Sequence, residues 1–245
     1  MKDERYQFHS FIPYKGIVHG LSTKAFGSMK NSETKEVDRD ALTKFARTID
    51  ITDPIVCMRQ IHSGTVAVVE NADDLRIAAT DALVTDKKHL PLAVLTADCL
   101  PILFCDPERE VISVAHAGYR GLLNNVIEHT VKRLVTDFKS DPKDIIVGIG
   151  PGIERDCYEV GVELIEEFQE KFPSFENIFR ESFDKLRTER FFLDLPGIAK
   201  QSLLKEGILD DHIEIMDICT KHDEHFYSYR GGDDDKRFVS VISLI

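Results

Sequence analysis

The sequence predicts an α/β fold of the α+β kind, in which a mixed β-sheet is flanked by helices. Short apolar runs of strand length outnumber the segments with helical periodicity. The two kinds of segment are interleaved along the chain, which is typical of strands and helices that pack on one another. No stretch rich in Pro, Gly or Ser divides the 245 residues, so we expect a single domain over residues 1–245.

The first strand signals surround polar residues. Residues 55–69 are β-branched and apolar around a polar centre, which predicts two strands joined across a turn that carries His62. Buried strands are predicted at 92–95 and 100–105, and the polar step between them carries Asp98 and Cys99. Two potential functional segments therefore lie between strands.

The next strand, predicted at 111–115, ends at His116. Apolar residues then recur at helical spacing, which predicts one amphipathic helix after a turn of small residues. The carboxyl end of a strand is a common position for functional groups in α/β folds. The remaining predictions are a strand at 145–147, a helix at 161–171, a helix capped by Asp194 that ends near Gly207, and strands at 213–216 and 238–245.

Composition limits the classes of partner. The formal charge of −12 argues against nucleic acid, because binding to a phosphate backbone depends on clustered Lys and Arg. No apolar run approaches the roughly 18 residues of a membrane span, so no membrane is expected. Five cysteines in a chain of this size indicate reduced thiols and a cytoplasmic location. The oligomeric state stays open, with a monomer as the working expectation.

Three soft potential metal ligands, His62, Cys99 and His116, come from three separate strand ends or turns. Imidazole and thiolate together suit zinc or copper, and three protein ligands with one open position form the catalytic arrangement. The spacing of the three matches no compact zinc-finger pattern. A buried cysteine and two turn-capping histidines would produce the same residues.

Five motifs occur in order from about residue 18 onward and resemble those of the laccase-domain family, also called multicopper polyphenol oxidoreductase or polyphenol oxidase-like proteins. The motifs are QIHSG at 60–64, TADCLP at 96–101, AHAGYRG at 115–121, GPGI at 150–153 with YEVG at 158–161, and CT at 219–220 with YSYR at 227–230.

This resemblance implies that His62, Cys99 and His116 ligate zinc in a pocket open to solvent. It implies a fold similar to that of cytotoxic necrotising factor catalytic domains. It also implies phosphorolysis of the purine nucleosides adenosine, inosine and methylthioadenosine, with phosphate as second substrate, and deamination of adenosine to inosine. An older proposal for the family is oxidation of phenols by copper.

The residues allow further roles. Asp98, next to Cys99, is the nearest candidate proton carrier, or it orients a ligand from behind. Arg120 and Arg230 follow motif turns and could hold phosphate or ribose. Lys24 lies where the family often has Arg after Ser-Thr, and it could add positive charge there.

Three alternatives remain open. A metal-free cysteine hydrolase would use Cys99 as nucleophile and His62 or His116 as base. A copper-dependent phenol oxidase is the second, although nine histidines without a His-x-His pair argue against full multicopper chemistry. The third is a non-catalytic protein that keeps a metal for stability. The glycines at 148, 150 and 152 lack the Gly-x-Gly-x-x-Gly spacing of a dinucleotide site.

Overall fold

The computed structural model describes residues 6–181 and 190–245, which form four β-sheets with helices packed against them. The strands are β1 (Ile17–Leu21), β2 (Cys57–Met58), β3 (Val66–Val68), β4 (Arg76–Ile77), β5 (Ala82–Thr85), β6 (Leu92–Thr96), β7 (Leu100–Asp106), β8 (Val111–Ala117), β9 (Ile146–Ile149), β10 (Glu159–Gly161), β11 (Phe179–Glu181), β12 (Arg190–Leu193), β13 (Ile213–Ile215) and β14 (Phe238–Leu244). The α-helices are α1 (Arg39–Thr48), α2 (Tyr119–Leu123), α3 (Val126–Phe138), α4 (Val162–Lys171) and α5 (Leu195–Lys205).

The largest sheet has six strands in the order β13-β9-β7-β8-β5-β3. Its central pairs are antiparallel, whereas the outer pairs β13/β9 and β3/β5 are parallel. The sheet is therefore mixed, as the sequence predicts. A second, antiparallel sheet has the order β1-β14-β6, so that β14 lies between strands from the first hundred residues. The smaller sheets are β10-β12-β11 and β2-β4.

The six-stranded sheet is covered on both faces. Alternate residues of β7 point to opposite sides, as the period of two in a strand requires. Ile102 and Phe104 belong to the core cluster that includes Val131 and Leu134 of α3. Leu103 belongs to a different cluster, with residues of β6 and β14. Helices thus pack on one face and the three-stranded sheet on the other, which explains why β7 is apolar from Leu100 to Cys105.

Several local predictions are confirmed. Strands occupy the predicted positions around Asp98 and Cys99, and α4 spans the predicted helix. The Asp194 side chain accepts a hydrogen bond from the backbone N–H of Gly197 and caps α5, which has Pro at its first turn.

None of the helices in the described residues combines the length and the apolar composition of a membrane span.

Three predictions about the chain near the histidines need correction. The strands on either side of His62 do not form a hairpin, because β2 pairs with β4 and β3 with β5. Strand β8 continues to Ala117, so His116 lies inside the strand. The helix after it is divided into α2 and α3, because Asn125 adopts a left-handed conformation with φ 58°. Asn tolerates this conformation better than most residues.

Candidate metal centre

His62, Cys99 and His116 meet at one end of the six-stranded sheet. One donor atom from each residue lies within 4.8 Å of the other two. Strand pairing brings two of them together, because Pro101 of β7 is directly opposite His116 of β8 and Cys99 comes just before β7. The His62 ring meets the His116 ring edge-on, with 4.8 Å between the centroids. The sequence therefore identifies three residues that the fold does bring together.

Gly118 leaves the space that the Cys99 thiol occupies. A Cβ atom at position 118 would lie 2.6 Å from the Cys99 Sγ and 3.5 Å from Cδ2 of His62. Gly118 has φ −82° and ψ 176°, which any residue adopts, so backbone freedom is not the reason for glycine here. The close approach of the thiol and the imidazole is the reason.

A fully buried carboxylate, Asp81, holds the two histidine segments. Its Oδ1 lies 2.9 Å from Nδ1 of His116 and accepts a hydrogen bond from the backbone N–H of His62. Its Oδ2 accepts hydrogen bonds from the backbone N–H groups of Ile61 and Ser63 and from the Ser63 hydroxyl. Asp81 thus fixes the His116 ring so that Nε2 is left for a ligand, which is the usual support for a metal-binding histidine.

The protonation states of the cluster depend on one another. Burial alone would raise the pKa of the Cys99 thiol, but the charge of His116 and hydrogen bonds from both histidines outweigh it and lower this pKa to about 6. Burial alone would lower the pKa of His116, but the Cys99 thiolate and the Asp81 carboxylate raise it to about 9. Without a metal, Cys99 and His116 therefore form a thiolate–imidazolium pair at neutral pH.

Asp98 is buried, and its carboxylate joins two distant loops. Its Oδ1 accepts hydrogen bonds from the hydroxyls of Thr220 and Ser228, and its Oδ2 accepts one from the backbone N–H of Arg230, each at 2.7 Å. Asp98 has φ 83°, a left-handed conformation that costs on the order of 1–3 kcal/mol in a non-glycine residue. Hydrogen bonds to a charged group contribute roughly 1.5–3 kcal/mol each and offset this cost.

The three basic residues differ in their surroundings. The Arg230 guanidinium lies 4.9 Å from the centre of the Tyr158 ring and donates to the carbonyl of Glu159. The Arg120 guanidinium lies over the Tyr119 ring, at the start of α2 and two residues beyond Gly118. Lys24 forms an ion pair with Asp233 and lies over the Tyr227 ring. Tyr227 and Asp233 belong to the loop that contains Ser228 and Arg230.

Sequence reasoning missed Asp81, Tyr158 and the two hydroxyls that bind Asp98. Burial raises the pKa of Tyr158, and charges from Cys99, Arg230 and Asp98 act on its hydroxyl, so this side chain lies beside the cluster. Thr220, Ser228 and Tyr158 are in the motifs that the sequence shows, but nothing in their spacing indicates a partner. Asp81 is a lone carboxylate before the apolar strand β5, which by itself looks like an ordinary turn residue.

The comparisons with known proteins identify the family. The family model for multi-copper polyphenol oxidoreductase laccase matches residues 16–245. A purine nucleoside phosphorylase of Streptomyces griseus is 34% identical and is aligned over 96% of this chain and 98% of its own length. One from Bacteroides thetaiotaomicron is 27% identical over 99% of this chain and 97% of its own length.

The solved structures give the same picture. YlmD from Geobacillus stearothermophilus has a TM-score of 0.85 and 27% identity, with 95% of this chain and 93% of that chain covered. A Bacillus licheniformis protein described as YfiH has a TM-score of 0.81 and 26% identity, with 95% and 94% covered. Because the family model matches nearly the whole chain, the protein belongs to the multi-copper polyphenol oxidoreductase laccase family, whose curated relatives include purine nucleoside phosphorylases.

Proposed function

We propose that this protein is a zinc-dependent purine nucleoside phosphorylase. The observation that carries the proposal is the convergence of His62, Cys99 and His116, with donor atoms within 4.8 Å, around a His116 ring that Asp81 holds. The names of the curated relatives supply the substrate class. The site supports it because Ile61 and Arg120 lie close to His62 and His116 along the chain, and Arg230 is hydrogen-bonded to Asp98, the neighbour of Cys99.

The donor set fits zinc. Two imidazoles and one thiolate leave a fourth position open, and a buried carboxylate behind one imidazole is the usual support of a zinc ligand. Bound there, zinc supplies Lewis-acid polarisation of a substrate oxygen or of water. Copper accepts the same donors and is the alternative metal.

Phosphorolysis forms a bond between a phosphate oxygen and the anomeric carbon while the glycosidic C–N bond breaks. The electron pair of that bond passes to the purine, which leaves as a neutral base once a ring nitrogen is protonated. Arg120 and Arg230 are the groups we assign to the phosphate, because planar guanidinium groups match its oxygens. Both are exposed and both lie against a tyrosine ring, which limits their orientations.

The purine needs an apolar surface. Ile61 is 50% exposed directly before His62, and Tyr229 is 55% exposed directly before Arg230. Large exposed apolar side chains beside polar functional groups are typical of a binding surface. We therefore assign Ile61 and Tyr229 to contacts with the base.

Asp98 positions these groups. Both of its carboxylate oxygens accept short hydrogen bonds, so we assign it the role of holding the loop of Ser228 and Arg230 against the segment that ends in Cys99. Lys24 supports the same loop from its other side through Asp233, and it adds positive charge near the anion. Because both Asp98 oxygens already accept hydrogen bonds, we assign it no proton transfer. The proton that the purine gains balances the one that hydrogen phosphate loses when its oxygen bonds to the anomeric carbon, and water can carry it.

The proposal covers adenosine, inosine and methylthioadenosine as substrates, with deamination of adenosine as a second reaction. These finer assignments come from the family resemblance. The proposal also includes a fold like that of the necrotising factors, a single domain over residues 1–245 and a monomeric state, which rest on the resemblance and the sequence. All five cysteines are free thiols in the structure, which supports a cytoplasmic location.

The test is an assay with adenosine and phosphate, in which adenine, inosine and ribose 1-phosphate are separated by chromatography. We expect adenine and ribose 1-phosphate in equal amounts, and loss of both after chelation of the metal or in Cys99→Ala. Cys105→Ala is the matched control, because Cys105 is a buried thiol on β7 away from the cluster. Full turnover by metal-free Cys99→Ala would overturn the proposal.

One observation favours a second candidate, a metal-free cysteine hydrolase. Cys99, His116 and Asp81 form a chain of thiolate, imidazolium and carboxylate, which is the arrangement of an activated nucleophile with its base and orienting group. The same assay separates the two candidates. Hydrolysis that survives chelation, with alkylation of Cys99 abolishing it, would select the hydrolase.

A further inference from the structure

We propose that Cys157, Cys219 and His222 form a second metal site, which takes zinc or another thiophilic cation. One donor atom from each residue lies within 4.8 Å of the other two. None of the three belongs to the His62, Cys99 and His116 cluster, and the proposed function does not use them. The inference is independent of the reaction that the protein catalyses.

The backbone brings the three residues together through two loops. Cys157 ends a turn of 3-10 helix at Arg155–Cys157, and Cys219 follows β13. Gly152 joins the loops, because its N–H donates to the carbonyl of Ile218 and its carbonyl accepts from the N–H of Thr220. His222 donates its N–H to the carbonyl of Cys219, and this tight turn places the imidazole beside the thiols.

The distances suit a shared cation. The Cys157 Sγ lies 3.4 Å from Nε2 and 3.5 Å from Nδ1 of His222. In tetrahedral zinc, ligand bonds of about 2.3 Å to sulfur and about 2.05 Å to nitrogen place a sulfur and a nitrogen about 3.6 Å apart. The pair in the structure therefore needs a shift of only a few tenths of an ångström to ligate one ion.

The burial pattern gives a route of entry. Both cysteines are buried, whereas His222 is exposed, so an ion that enters from solvent would be covered by the imidazole. Glu154 is the candidate for a fourth ligand, because its carboxylate interacts electrostatically with His222 and its carbonyl accepts from the N–H of Cys157. Two thiolates and an imidazole select zinc or copper(I) over the hard cations that prefer oxygen.

The ion would act on the first cluster through the backbone. Thr220, next to Cys219, donates its hydroxyl to Asp98, and Ile153 donates its N–H to the Asp98 carbonyl. A metal that joins Cys157 to Cys219 therefore fixes the two loops that hold Asp98 beside Cys99. We expect the site to stabilise the fold rather than to take part in chemistry, because an ion there would join two loops through two buried thiols.

The experiment removes the first site and asks whether zinc remains. Reduced Cys99→Ala protein is equilibrated with zinc at low-micromolar free concentration, desalted, and analysed for metal by mass spectrometry. We expect one zinc per chain, and none after His222→Ala or Cys219→Ser is added. His89→Ala and Cys105→Ala in the same background are the controls, because they remove another exposed histidine and another buried thiol.

Cobalt(II) gives a second readout, because thiolate ligands produce charge-transfer absorption in the near ultraviolet whose intensity rises with the number of thiolates. We expect Cys99→Ala to retain this band and Cys219→Ser to weaken it, with the circular dichroism of each variant reporting its fold. Absence of zinc from folded Cys99→Ala protein would overturn the proposal. So would zinc that persists in both double variants, or a Cys157–Cys219 disulfide that forms while the reduced protein binds no zinc.

Discussion

Two clusters in this molecule combine cysteine with histidine, yet the pKa values of Cys99 and Cys157 are shifted in opposite directions. The pKa of Cys99 is lowered to about 6, with His116 and His62 beside it. Burial, together with the neighbouring Cys219 thiol, raises the pKa of Cys157 to about 12, although His222 is only 3.4 Å away. A histidine neighbour is therefore insufficient to produce a thiolate.

The two clusters differ in the group that is hydrogen-bonded to the far side of the imidazole. The charge of the Cys99 thiolate and the hydrogen bond to the buried Asp81 carboxylate together raise the pKa of His116. His222 is exposed, and water can take the place of a fixed carboxylate. The comparison indicates that His116, held by Asp81, favours a thiolate at Cys99 in the metal-free protein, whereas Cys157 becomes a thiolate when a cation displaces its proton.

The largest effect is expected from Gly118→Ala, because the new methyl group would lie 2.6 Å from the Cys99 Sγ and displace it without straining the backbone. We expect loss of zinc from the first cluster and about a 1000-fold fall in kcat/KM, since a metal contributes several kcal/mol to the transition state. Zinc content and turnover are measured together. Gly16→Ala is the control, because its Cβ would meet open space.

Retention of zinc and activity in Gly118→Ala would show that the thiol has another position available. The second cluster supplies an internal reference, because the atoms nearest to a Cβ at position 118 belong to Cys99 and His62. Its metal should remain in the variant.

Asp81→Asn tests the role of the carboxylate. We expect a 10- to 100-fold loss of zinc affinity at the first cluster, the usual cost of removing a group that orients a ligand. Competition with a chromophoric chelator measures the affinity. Asp106→Asn is the control, because Asp106 is also buried and accepts hydrogen bonds, but from the backbone of Glu108 and Arg109. Equal losses of zinc affinity in the two variants would contradict the role of Asp81 in orienting His116.

His19 is a buried imidazole that has no hydrogen-bonded carboxylate among the described residues, although the charge of Glu214 acts on it. It accepts a hydrogen bond from the backbone N–H of Phe8 and packs against Phe11, and burial lowers its pKa to about 4. The unfolded chain, with a histidine pKa near 6.5, binds the proton more tightly. This histidine therefore favours folding fully above pH 6.5, and the contribution is lost as the pH falls through 6.5 towards 4.

At pH 5 this difference amounts to about 2 kcal/mol of unfolding free energy, roughly a 30-fold change in the folding equilibrium. Urea denaturation at pH 7.5 and at pH 5 measures it, with His19→Gln expected to lose less stability on acidification than the wild type. His89→Gln, at an exposed position, should behave like the wild type. An unchanged acid sensitivity in His19→Gln would contradict the expectation.

The smallest effect concerns thiol reactivity in the metal-free protein. The pKa of about 6 makes Cys99 mostly thiolate at pH 7, so we expect iodoacetamide to modify it about 10-fold faster than a free cysteine. The rate should fall as the pH drops through 6, where the sulfur is protonated. Peptide mapping by mass spectrometry at pH 5 to 9 follows Cys99 and Cys157 together. If Cys157 were modified as fast as Cys99 at pH 7, the opposite pKa shifts of the two thiols would be contradicted.

The sequence predicts strands well where apolar runs are buried on both faces, as in β7 and β8. It predicts the α5 start because Asp194 and a following Pro are local signals. The sequence did not predict the pairing partners of β2 and β3, since the two strands pair with β4 and β5 rather than with each other. Pairing partners depend on long-range packing that local periodicity does not contain.

The candidate site divides in the same way. Imidazole and thiol side chains are rare enough to indicate the ligands, whereas Asp81 has no local signal that distinguishes it from a turn carboxylate. The partners of Asp98 lie 122 and 130 residues further along the chain. Contacts of such sequence separation become visible only when the sheets are assembled.

The position of β14 has a consequence for biosynthesis. It lies between β1 and β6, so neither of these strands has its main partner until residues 238–244 have left the ribosome. The segment from Thr96 to Cys99 continues directly from β6. The hydrogen bonds of Asp98 to Ser228 and Arg230 also form only after this C-terminal part of the chain has been synthesised. The contacts that hold the segment ending in Cys99 are thus completed long after His62, Cys99 and His116 are translated, and we expect metal to be loaded after synthesis rather than during it.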